Sequence, residues 1–378
     1  MTGTGAHPRD DIHVFWDARV LDHDTGSGFW EAAPSALLAE PELHPESAPR
    51  IRNMKAVLER GPVSDAIVWR PGRLATEAEL TTVHSRSYVR EVRELCERGG
   101  TGRHWLTSTT TVAPGSWEPL LAAAGTCLAA VDAVLDGECD RAYALVRPPG
   151  HHAQPRQADG YCVFGHAALA AQRARERGVE RVAVVDWDVH HGNGTQECFY
   201  DRADVLTVSL HMAHGAWGAS HPQTGAPDEL GRGPGLGHNV NVELPVGAGD
   251  RAYEDAFERV VAPVLRAFRP GLIVAASGQD AATFDANGQH NVTMAGFHRI
   301  GTLLRELSEE LTGGRLVLTQ EGGYARSYAA YCLHATVEGL LGRAPSLADP
   351  IAYVPDDRTR GDAAIDRIRR SLSPHWPL

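Results

Sequence analysis

Short apolar runs rich in β-branched residues alternate along this chain with longer stretches in which alanine, leucine and arginine predominate. Eight of these runs predict strands, at residues 12–16, 66–70, 142–146, 181–187, 205–211, 239–244, 272–277 and 315–320. Intervening stretches such as 119–137 and 165–178 have helical composition. Strands that alternate with helices are typical of a mostly parallel sheet with helices on both faces. The pattern therefore predicts an α/β fold, and its even spread favours one domain over residues 1–378.

Two long segments interrupt this alternation. Residues 22–50 and 211–239 show neither helical nor strand periodicity, and both are rich in histidine, tryptophan, glycine and proline. Long irregular segments in a compact domain are usually binding or catalytic loops. We therefore expect these two segments to form walls of a binding cleft.

Composition and charge narrow the class of protein. Hydrophobic residues make up 43% of the 378 residues and charged residues 22%, which is sufficient for a large apolar core. The net charge of −12 argues against nucleic-acid binding, because phosphate contacts need a basic surface. We expect no membrane partner either, since no apolar run is long enough to span a bilayer.

The spacing of the cysteines and the N-terminal sequence indicate the cellular compartment in which the protein is expected. The six cysteines form no CxxC pair, which argues against a zinc finger or a disulfide framework. The sequence MTGTGAHPRDD has no apolar stretch of the kind found in signal peptides. We expect a cytoplasmic protein with reduced thiols, and the sequence leaves open whether it forms a homo-oligomer.

Polar clusters follow four of the predicted strands. They read RPPGHHA at 147–153, DWDVHHGNGTQ at 186–196, SGQDAATFD at 277–285 and QEGGYA at 320–325. In an open parallel sheet, ligands bind beyond the carboxyl ends of the strands. Four loops that meet at this edge would assemble a single site.

The second cluster has the spacing of a metal site. Alternate residues of an extended segment share a face, so Asp186, Asp188 and His190 are expected to point the same way. Asp280, after the seventh strand, is a natural third ligand beside Asp188 and His190. Two carboxylates and one imidazole leave an open position, as in catalytic rather than structural zinc sites. The alternative is that these carboxylates cap helices, but the meeting of four clusters argues against it.

Adjacent histidines require a different interpretation. His151 and His152 cannot both reach one metal at strand spacing, but they can act as general base and general acid. Each then needs an acceptor that orients its second ring nitrogen, and Asp186, Asn193 and Asp285 are candidates.

Tyr324 follows Glu321 and two glycines that allow the backbone to turn sharply. Its phenol could donate a hydrogen bond to an oxyanion, and the alternative is a tyrosine that only packs under a loop.

Taken together and in this order, the four motifs resemble the histone deacetylase and acetylpolyamine amidohydrolase superfamily. The likeness is greatest to its class II branch, which includes bacterial deacetylase-like amidohydrolases, because Asn193 stands where class I enzymes carry aspartate. It extends from HPESAPRI at 44–51 to QEGGYA at 320–325. The resemblance implies a three-layer α/β/α arginase-deacetylase fold with a mostly parallel eight-stranded sheet.

The resemblance also implies roles for individual residues. Zinc would be held by Asp188, His190 and Asp280. His152 would be the base, oriented by Asn193, and Asp186 would orient His151.

Further roles concern the substrate and a second ion. By the same resemblance, Tyr324 polarises the acyl carbonyl, Gly160 and Tyr161 line the acyl-lysine channel, and Arg50 lies behind the active site. A structural potassium is also implied, beside the zinc. Its position is matched by Asp186, Asp188, His190, Ser209 and Leu210.

The chain departs from the family pattern near the expected channel. His221 stands near the usual position of a channel phenylalanine, Trp217 could restore part of that apolar wall, and Gln279 replaces a common phenylalanine or tyrosine. We also expect no regulatory tail beside the domain. These departures favour a small acylated amine, such as an acetylpolyamine, over histone as the substrate, with protein acetyl-lysine as the alternative.

The sequence supports an enzyme over two other functions on the same fold. A non-catalytic acyl-binding or scaffold protein would be expected to lack a ligand, a histidine or the tyrosine, and all are present. A binuclear manganese ureohydrolase needs an Asp-Ala-His type of strand motif, which His190 and His191 do not supply. The favoured function is therefore a zinc-dependent amidohydrolase that removes an acyl group, most simply acetyl, from an amine.

Overall fold

The structure, a computed structural model, describes residues 10–27, 35–40, 42–100, 102–213, 223–352, 356–357 and 359–378. The strands are β1 Ile12–Trp16, β2 Ile67–Pro71, β3 His104–Trp105, β4 Thr111–Val112, β5 Arg141–Ala144, β6 Val182–Asp186, β7 Val205–Met212, β8 Asn239–Leu244, β9 Leu272–Ser277 and β10 Leu316–Gln320. The helices are α1 Ala48–Arg60, α2 Glu77–Leu80, α3 Arg86–Glu97, α4 Trp117–Leu135, α5 His166–Glu176, α6 Asn193–Phe199, α7 Asp250–Ala256, α8 Ala262–Phe268, α9 Met294–Thr312, α10 Tyr328–Leu340 and α11 Asp362–Leu372. A π-helical turn, Phe257–Val261, joins α7 to α8.

Eight of the strands form one sheet in the order β2-β1-β5-β10-β9-β6-β7-β8. Every neighbouring pair in it is parallel, and β3 and β4 form a separate antiparallel pair. The predicted eight-stranded sheet is confirmed, and it is wholly rather than mostly parallel.

Alternating side chains of the central strands fill two different cores. In β6, Val182 and Val184 pack with one layer of helices, whereas Ala183 and Val185 pack with the other. Burial of both faces explains why these strands read as continuous apolar runs in the sequence. Helices α1 and α7 to α11 cover one face, and α4 to α6 cover the other, which gives three layers.

Some predicted boundaries are corrected. The helix predicted at 119–137 spans 117–135, and just beyond its end Gly137 adopts a left-handed φ of 74°. Helix α1 begins at Ala48, within the segment 22–50 that was predicted to be irregular, and Pro49 lies in its first turn. Proline suits that position because the first turn of a helix needs no amide donor there.

Helix α4 is long and apolar enough to cross a membrane by length and composition, but 72% of the tested window is buried inside the structure. Burial of this kind is expected for the core helix of a sheet protein. Its apolar composition is therefore explained by its packing under the sheet.

The order of strands determines where the polar clusters lie. Strands β5, β10, β9 and β6 are consecutive in the sheet, and each is followed by one of the four polar clusters. Because all four strands run parallel, their carboxyl ends meet at the same edge. The fold therefore brings the four sequence motifs to one place.

Candidate active site

Three candidate metal ligands lie together at this edge of the sheet. Asp188 and His190 belong to the turn after β6, and Asp280 follows β9, which is the neighbour of β6. One ligand atom from each residue lies within 4.8 Å of the others, and all three residues are buried. The local sequence leaves room for this approach, since a Cβ on Gly322 would lie 2.1 Å from a carboxylate oxygen of Asp280.

The donor set fits a divalent cation. Nε2 of His190 lies 3.0 Å from the carbonyl oxygen of Asn287, which can only accept, so Nε2 carries the hydrogen in the neutral ring. Nδ1 then directs its lone pair at Asp188 Oδ1 and Asp280 Oδ2, at 3.0 and 3.1 Å. Three buried acceptors that face each other need a cation or a proton between them. An imidazole and two carboxylates are ligands that zinc accepts, and the carbonyl behind the ring is a common outer partner.

The pKa values of His190 and Asp280 also indicate that a cation or a proton belongs between these residues. Burial disfavours a charge on His190, but hydrogen bonds to Asp188 and Asp280 outweigh it and raise the pKa of His190 to about 10. Burial and the charge of Asp188 raise the pKa of Asp280 to about 7. The protein without metal therefore retains a proton where a cation would sit.

The two adjacent histidines meet different acceptors. Nδ1 of His151 lies 2.8 Å from Asp186 Oδ2, and Nδ1 of His152 lies 2.6 Å from Asn193 Oδ1. Their rings are 4.0 Å apart between centroids, and the ring of His152 is 5.8 Å from that of His190. The pair therefore stands beside the metal cluster.

A relay of hydrogen bonds fixes the tautomer of His152. Asn193 Nδ2 donates to Asp159 Oδ2 at 3.1 Å, which turns the amide oxygen of Asn193 toward the imidazole. That oxygen can only accept, so Nδ1 of His152 carries the hydrogen. Nε2 of His152 is left with a free lone pair, which is the form that a general base requires.

The environment separates the pKa values of the two rings. Burial lowers the pKa of His151, but the charges of Asp188 and Asp186 outweigh burial and raise it well above the ordinary value. Burial, together with positive charge on His151 and His190, lowers the pKa of His152 well below the ordinary value. Two titratable groups with opposite shifts are the arrangement expected of an acid and a base.

Tyr324 lies in the turn that follows β10. Its ring packs edge-on against Tyr161 at 5.8 Å between centroids, and the guanidinium of Arg50 lies 5.1 Å from the ring centre. Arg50 is fully buried and donates to the carbonyl oxygens of Gly323 and Glu321. Arg50 thus holds the turn that carries the tyrosine.

Asp285 supports this turn and does not orient a histidine. Its Oδ2 accepts hydrogen bonds from the backbone amides of Tyr324 and Ala325, at 2.7 and 2.9 Å. Burial raises the pKa of Asp285 to about 6. Of the three acceptors considered for the histidines, Asp186 and Asn193 make the contacts and Asp285 does not.

Gly160 packs directly against the candidate base. Its φ is 47°, and a Cβ there would lie 2.2 Å from the His152 ring. Tyr161 also has a positive φ, 69°, and its ring contacts that of His44 at 4.8 Å. This strained backbone places the tyrosine beside Tyr324.

Other residues implied by the family resemblance lie in different surroundings. Ser209 pairs with Asp186 in the register of β6 and β7, and Leu210 follows in the same strand. Gln279 is fully buried and accepts from Gln320 Nε2 at 2.7 Å, so it belongs to a network beneath the site and not to a channel wall. Trp217 and His221 lie outside the described residues.

Sequence reasoning missed two acidic residues of the site. Glu321 Oε2 accepts from the backbone amides of Gly150 and His151, at 2.6 and 3.1 Å, so it fixes the backbone that carries both histidines. Asp159 holds Asn193 and also accepts from Gly160 N at 2.9 Å. Glu321 stands inside the motif QEGGYA and Asp159 directly precedes Gly160, but their partners are distant in sequence.

Comparisons with known proteins agree on one family for this chain. A family model described as histone deacetylase domain matches residues 44–340. Histone deacetylase 8 of Arabidopsis thaliana is 48% identical over 361 residues, which are 95% of each chain. A histone deacetylase-like amidohydrolase of Pseudomonas aeruginosa is 39% identical and covers 89% of this chain and 88% of its own.

The fold of the chain is also similar to that of a solved structure. The crystal structure of the HDA15 HD domain superposes with a TM-score of 0.82 at 34% identity, over 97% of this chain and 95% of that one. The matched region contains β5 to β10 and all four polar clusters. The chain therefore belongs to the histone deacetylase family.

Proposed function

We propose that this protein is a zinc-dependent hydrolase that removes an acetyl group from an amine. Membership of the histone deacetylase family supports deacetylase chemistry. The observation that carries the proposal is the buried meeting of Asp188, His190 and Asp280 beside two histidines with unlike partners. A zinc ion bound there would supply a Lewis acid that polarises a carbonyl and eases deprotonation of water.

The residues of the chain divide the proton transfers between them. His152 takes a proton from the attacking water at Nε2, the nitrogen that Asn193 leaves free. His151, held by Asp186, provides positive charge and a proton for the departing amine nitrogen. Tyr324 donates its hydroxyl hydrogen to the carbonyl oxygen as negative charge develops there.

For the substrate we favour a small acylated amine over histone, with acetylpolyamines and protein acetyl-lysine as the other members of the class. The close packing of Gly160 on His152 and of Tyr161 on Tyr324 supports a slender substrate beside these residues. The long segment 211–239, with Trp217 and His221, supports a substrate selected by the wall of a pocket.

The substrate proposal is tested by comparing kcat/KM for acetylated small amines, acetylpolyamines and acetyl-lysine peptides. The comparison uses the zinc-loaded wild type, Trp217→Ala and the control Tyr331→Ala, which alters a half-exposed aromatic residue of α10. We expect small amines to be preferred and Trp217→Ala to change that preference, with Tyr331→Ala like wild type. A preference for peptides by orders of magnitude, unaffected by Trp217→Ala, would overturn the small-amine proposal and leave the hydrolase proposal intact.

A non-catalytic acyl-binding protein is the second candidate, because it would use the same pocket. It would bind acetylated ligands without releasing acetate. Acetate release by wild type and its loss in His152→Ala support the enzyme, whereas ligand binding without release from any substrate would favour the binding protein.

A further inference from the structure

A pocket lined by arginines lies at the edge of the sheet opposite the candidate active site. Its volume is about 420 Å³, within the range of roughly 300–1,000 Å³ that small-molecule sites occupy. Three loops form it, and each leads into a strand of the sheet: residues 177–181 before β6, residues 269–271 before β9, and Arg315 before β10. The end of α4, at Leu135, completes the wall.

Four arginines line this pocket, and they differ in their partners. Arg177 is neutralised, since its guanidinium contacts the carboxylates of Asp132 and Asp136. Arg181, Arg269 and Arg315 have no carboxylate within ion-pair distance among the residues that the structure describes.

The three unpaired guanidiniums keep most of their donors free for a ligand. Arg181 and Arg315 each use only Nε on a neighbouring carbonyl, of Arg269 and Thr312, both at 3.1 Å. Their terminal amino groups, and the whole guanidinium of Arg269, have no hydrogen-bond partner within the described part of the chain. Glu180 also lines the pocket, so three cations face one carboxylate.

The backbone connects two of the loops that carry these side chains. The amide of Gly271 donates to the carbonyl of Arg181 at 2.7 Å, which ties two of the three loops. Arg269 ends α8 in a left-handed conformation, with φ of 54°, where glycine would be the least strained residue. The arginine at position 269 is therefore retained although its backbone conformation disfavours every side chain.

We infer that this pocket binds a small ligand with several oxyanion groups, either phosphates or carboxylates. Arg181, Arg269 and Arg315 are exposed, so water and salt screen much of their mutual repulsion, and an anion held between them would remove the rest. A guanidinium can bind two oxygens of a phosphate or of a carboxylate at once. Three guanidiniums without carboxylate partners at one pocket can therefore bind several oxyanion groups of the same ligand. The net charge of the chain is −12, so a general basic surface does not account for the cluster.

The experiment is a calorimetric titration of the full chain with tripolyphosphate and with citrate at fixed ionic strength. Variants are the double substitution Arg269→Gly with Arg315→Gln and, as a control, Arg90→Gln on the exposed face of α3. Glycine suits the φ of residue 269, and glutamine can still donate to Thr312, so the double variant is designed to fold. Thermal melting without ligand checks this for each protein.

We expect saturable binding of at least one anion to wild type, weakened at least about tenfold in the double variant and within twofold in Arg90→Gln. Tighter binding of tripolyphosphate assigns a phosphorylated ligand, and tighter binding of citrate assigns a polycarboxylate. No saturable binding of either anion, or equal affinity in wild type and a folded double variant, would overturn the inference.

Discussion

At His151 and His152, two adjacent imidazoles of the same chain segment meet a carboxylate and an amide, respectively. The carboxylate of Asp186 favours a charged ring, whereas the amide of Asn193 fixes a tautomer without adding charge. Asn193 can do so only because Asp159 binds its amino group. The difference between the two histidines thus depends on residues that contact them and on Asp159, which contacts Asn193.

Tyr324 gives the first prediction at the residue scale. If its phenol donates to the developing oxyanion, Tyr324→Phe lowers kcat by about 10²–10³ and leaves KM nearly unchanged, as expected for one lost oxyanion donor. Steady-state kinetics with the best acetylated amine measure both values. A variant within a few-fold of wild type would mean that the phenol only packs against Tyr161.

Glu321 gives a second prediction, because glutamine can replace its hydrogen bonds and alanine cannot. Burial raises the pKa of Glu321 to about 7, so its function does not depend on a strong negative charge. In Glu321→Gln one oxygen still accepts from the amides of Gly150 and His151, and we expect kcat within about tenfold of wild type. Glu321→Ala leaves both amides buried without an acceptor.

We expect Glu321→Ala to lower kcat by about 10² and the free energy of unfolding by about 2–3 kcal/mol. Kinetics and urea unfolding of the two variants check this. Equal kcat values for the alanine and glutamine variants would show that Glu321 does not position the histidines.

Local sequence patterns could predict the residues that follow strands, but not their supporting partners. Asp188, His190, Asp280 and the two histidines each lie in a short polar cluster at a strand end. Glu321 reaches back 171 residues to Gly150, and Asp159 reaches 34 residues to Asn193, so no local spacing reports these contacts. Gln279, noted in the sequence only as a departure from the family pattern, is fully buried and contacts Gln320.

At the scale of elements, the loop between β5 and α5 carries both the histidines and Gly160. Its conformation depends on a residue without a Cβ, because Gly160 has a φ of 47° and lies against His152. Gly160→Ala should therefore displace the base and lower kcat by about 10² or more, beyond the cost of backbone strain.

Gly137→Ala is the matched control, since Gly137 has a φ of 74° and nothing within 4 Å of a built Cβ. Both variants place a Cβ at a residue with positive φ, but only in Gly160→Ala does that Cβ clash with the ring of His152. Thermal melting and kcat of the two proteins are compared. Activity of Gly160→Ala equal to that of Gly137→Ala would contradict the role assigned to this contact.

His84 binds the middle and the end of the same loop. Its Nδ1 lies 3.0 Å from the carbonyl of Gln154, and its Nε2 accepts from the amide of Gly165 at 2.9 Å, which requires the neutral ring. Burial lowers the pKa of His84 from 6.5 to about 4. The unfolded chain therefore binds more protons between these values, and the stabilisation by His84 is lost as the pH falls from 6.5 toward 4.

We expect this residue to contribute a slope of up to about 1.4 kcal/mol per pH unit to the free energy of unfolding in that window. Urea unfolding of wild type and His84→Gln from pH 7 to pH 4.5 measures the slope. The variant should be less stable at pH 7 yet less sensitive to acid. Identical slopes would show that His84 titrates normally.

Strand prediction succeeded at this scale because both faces of the sheet are buried. Continuous apolar runs such as 272–277 then have no competing interpretation, and three of the eight predicted strands have the bounds observed. Helix α1 was missed because its first turn lies in a stretch rich in proline and glutamate, and its main packing partner, α10, is distant in sequence.

At the scale of the whole molecule, the strand order β5-β10-β9-β6 explains why four separate motifs make one site. Of the three pairs β5-β10, β10-β9 and β9-β6, only β9 and β10 are consecutive in the chain, so this order could not be read from adjacency in sequence. The resemblance to a known family supplied the fold that periodicity alone left as a class. The same central strands begin at the arginine-lined pocket and end at the metal cluster.

We propose that one zinc ion at Asp188, His190 and Asp280 makes this chain a deacetylase. The most direct test is to remove metal with a chelator and titrate zinc back while acetate release is measured. We predict that activity returns in proportion to zinc and saturates at about one ion per chain, and that Asp280→Ala neither binds zinc tightly nor recovers activity. Full activity in the metal-free protein, or full zinc content and activity in Asp280→Ala, would contradict the account.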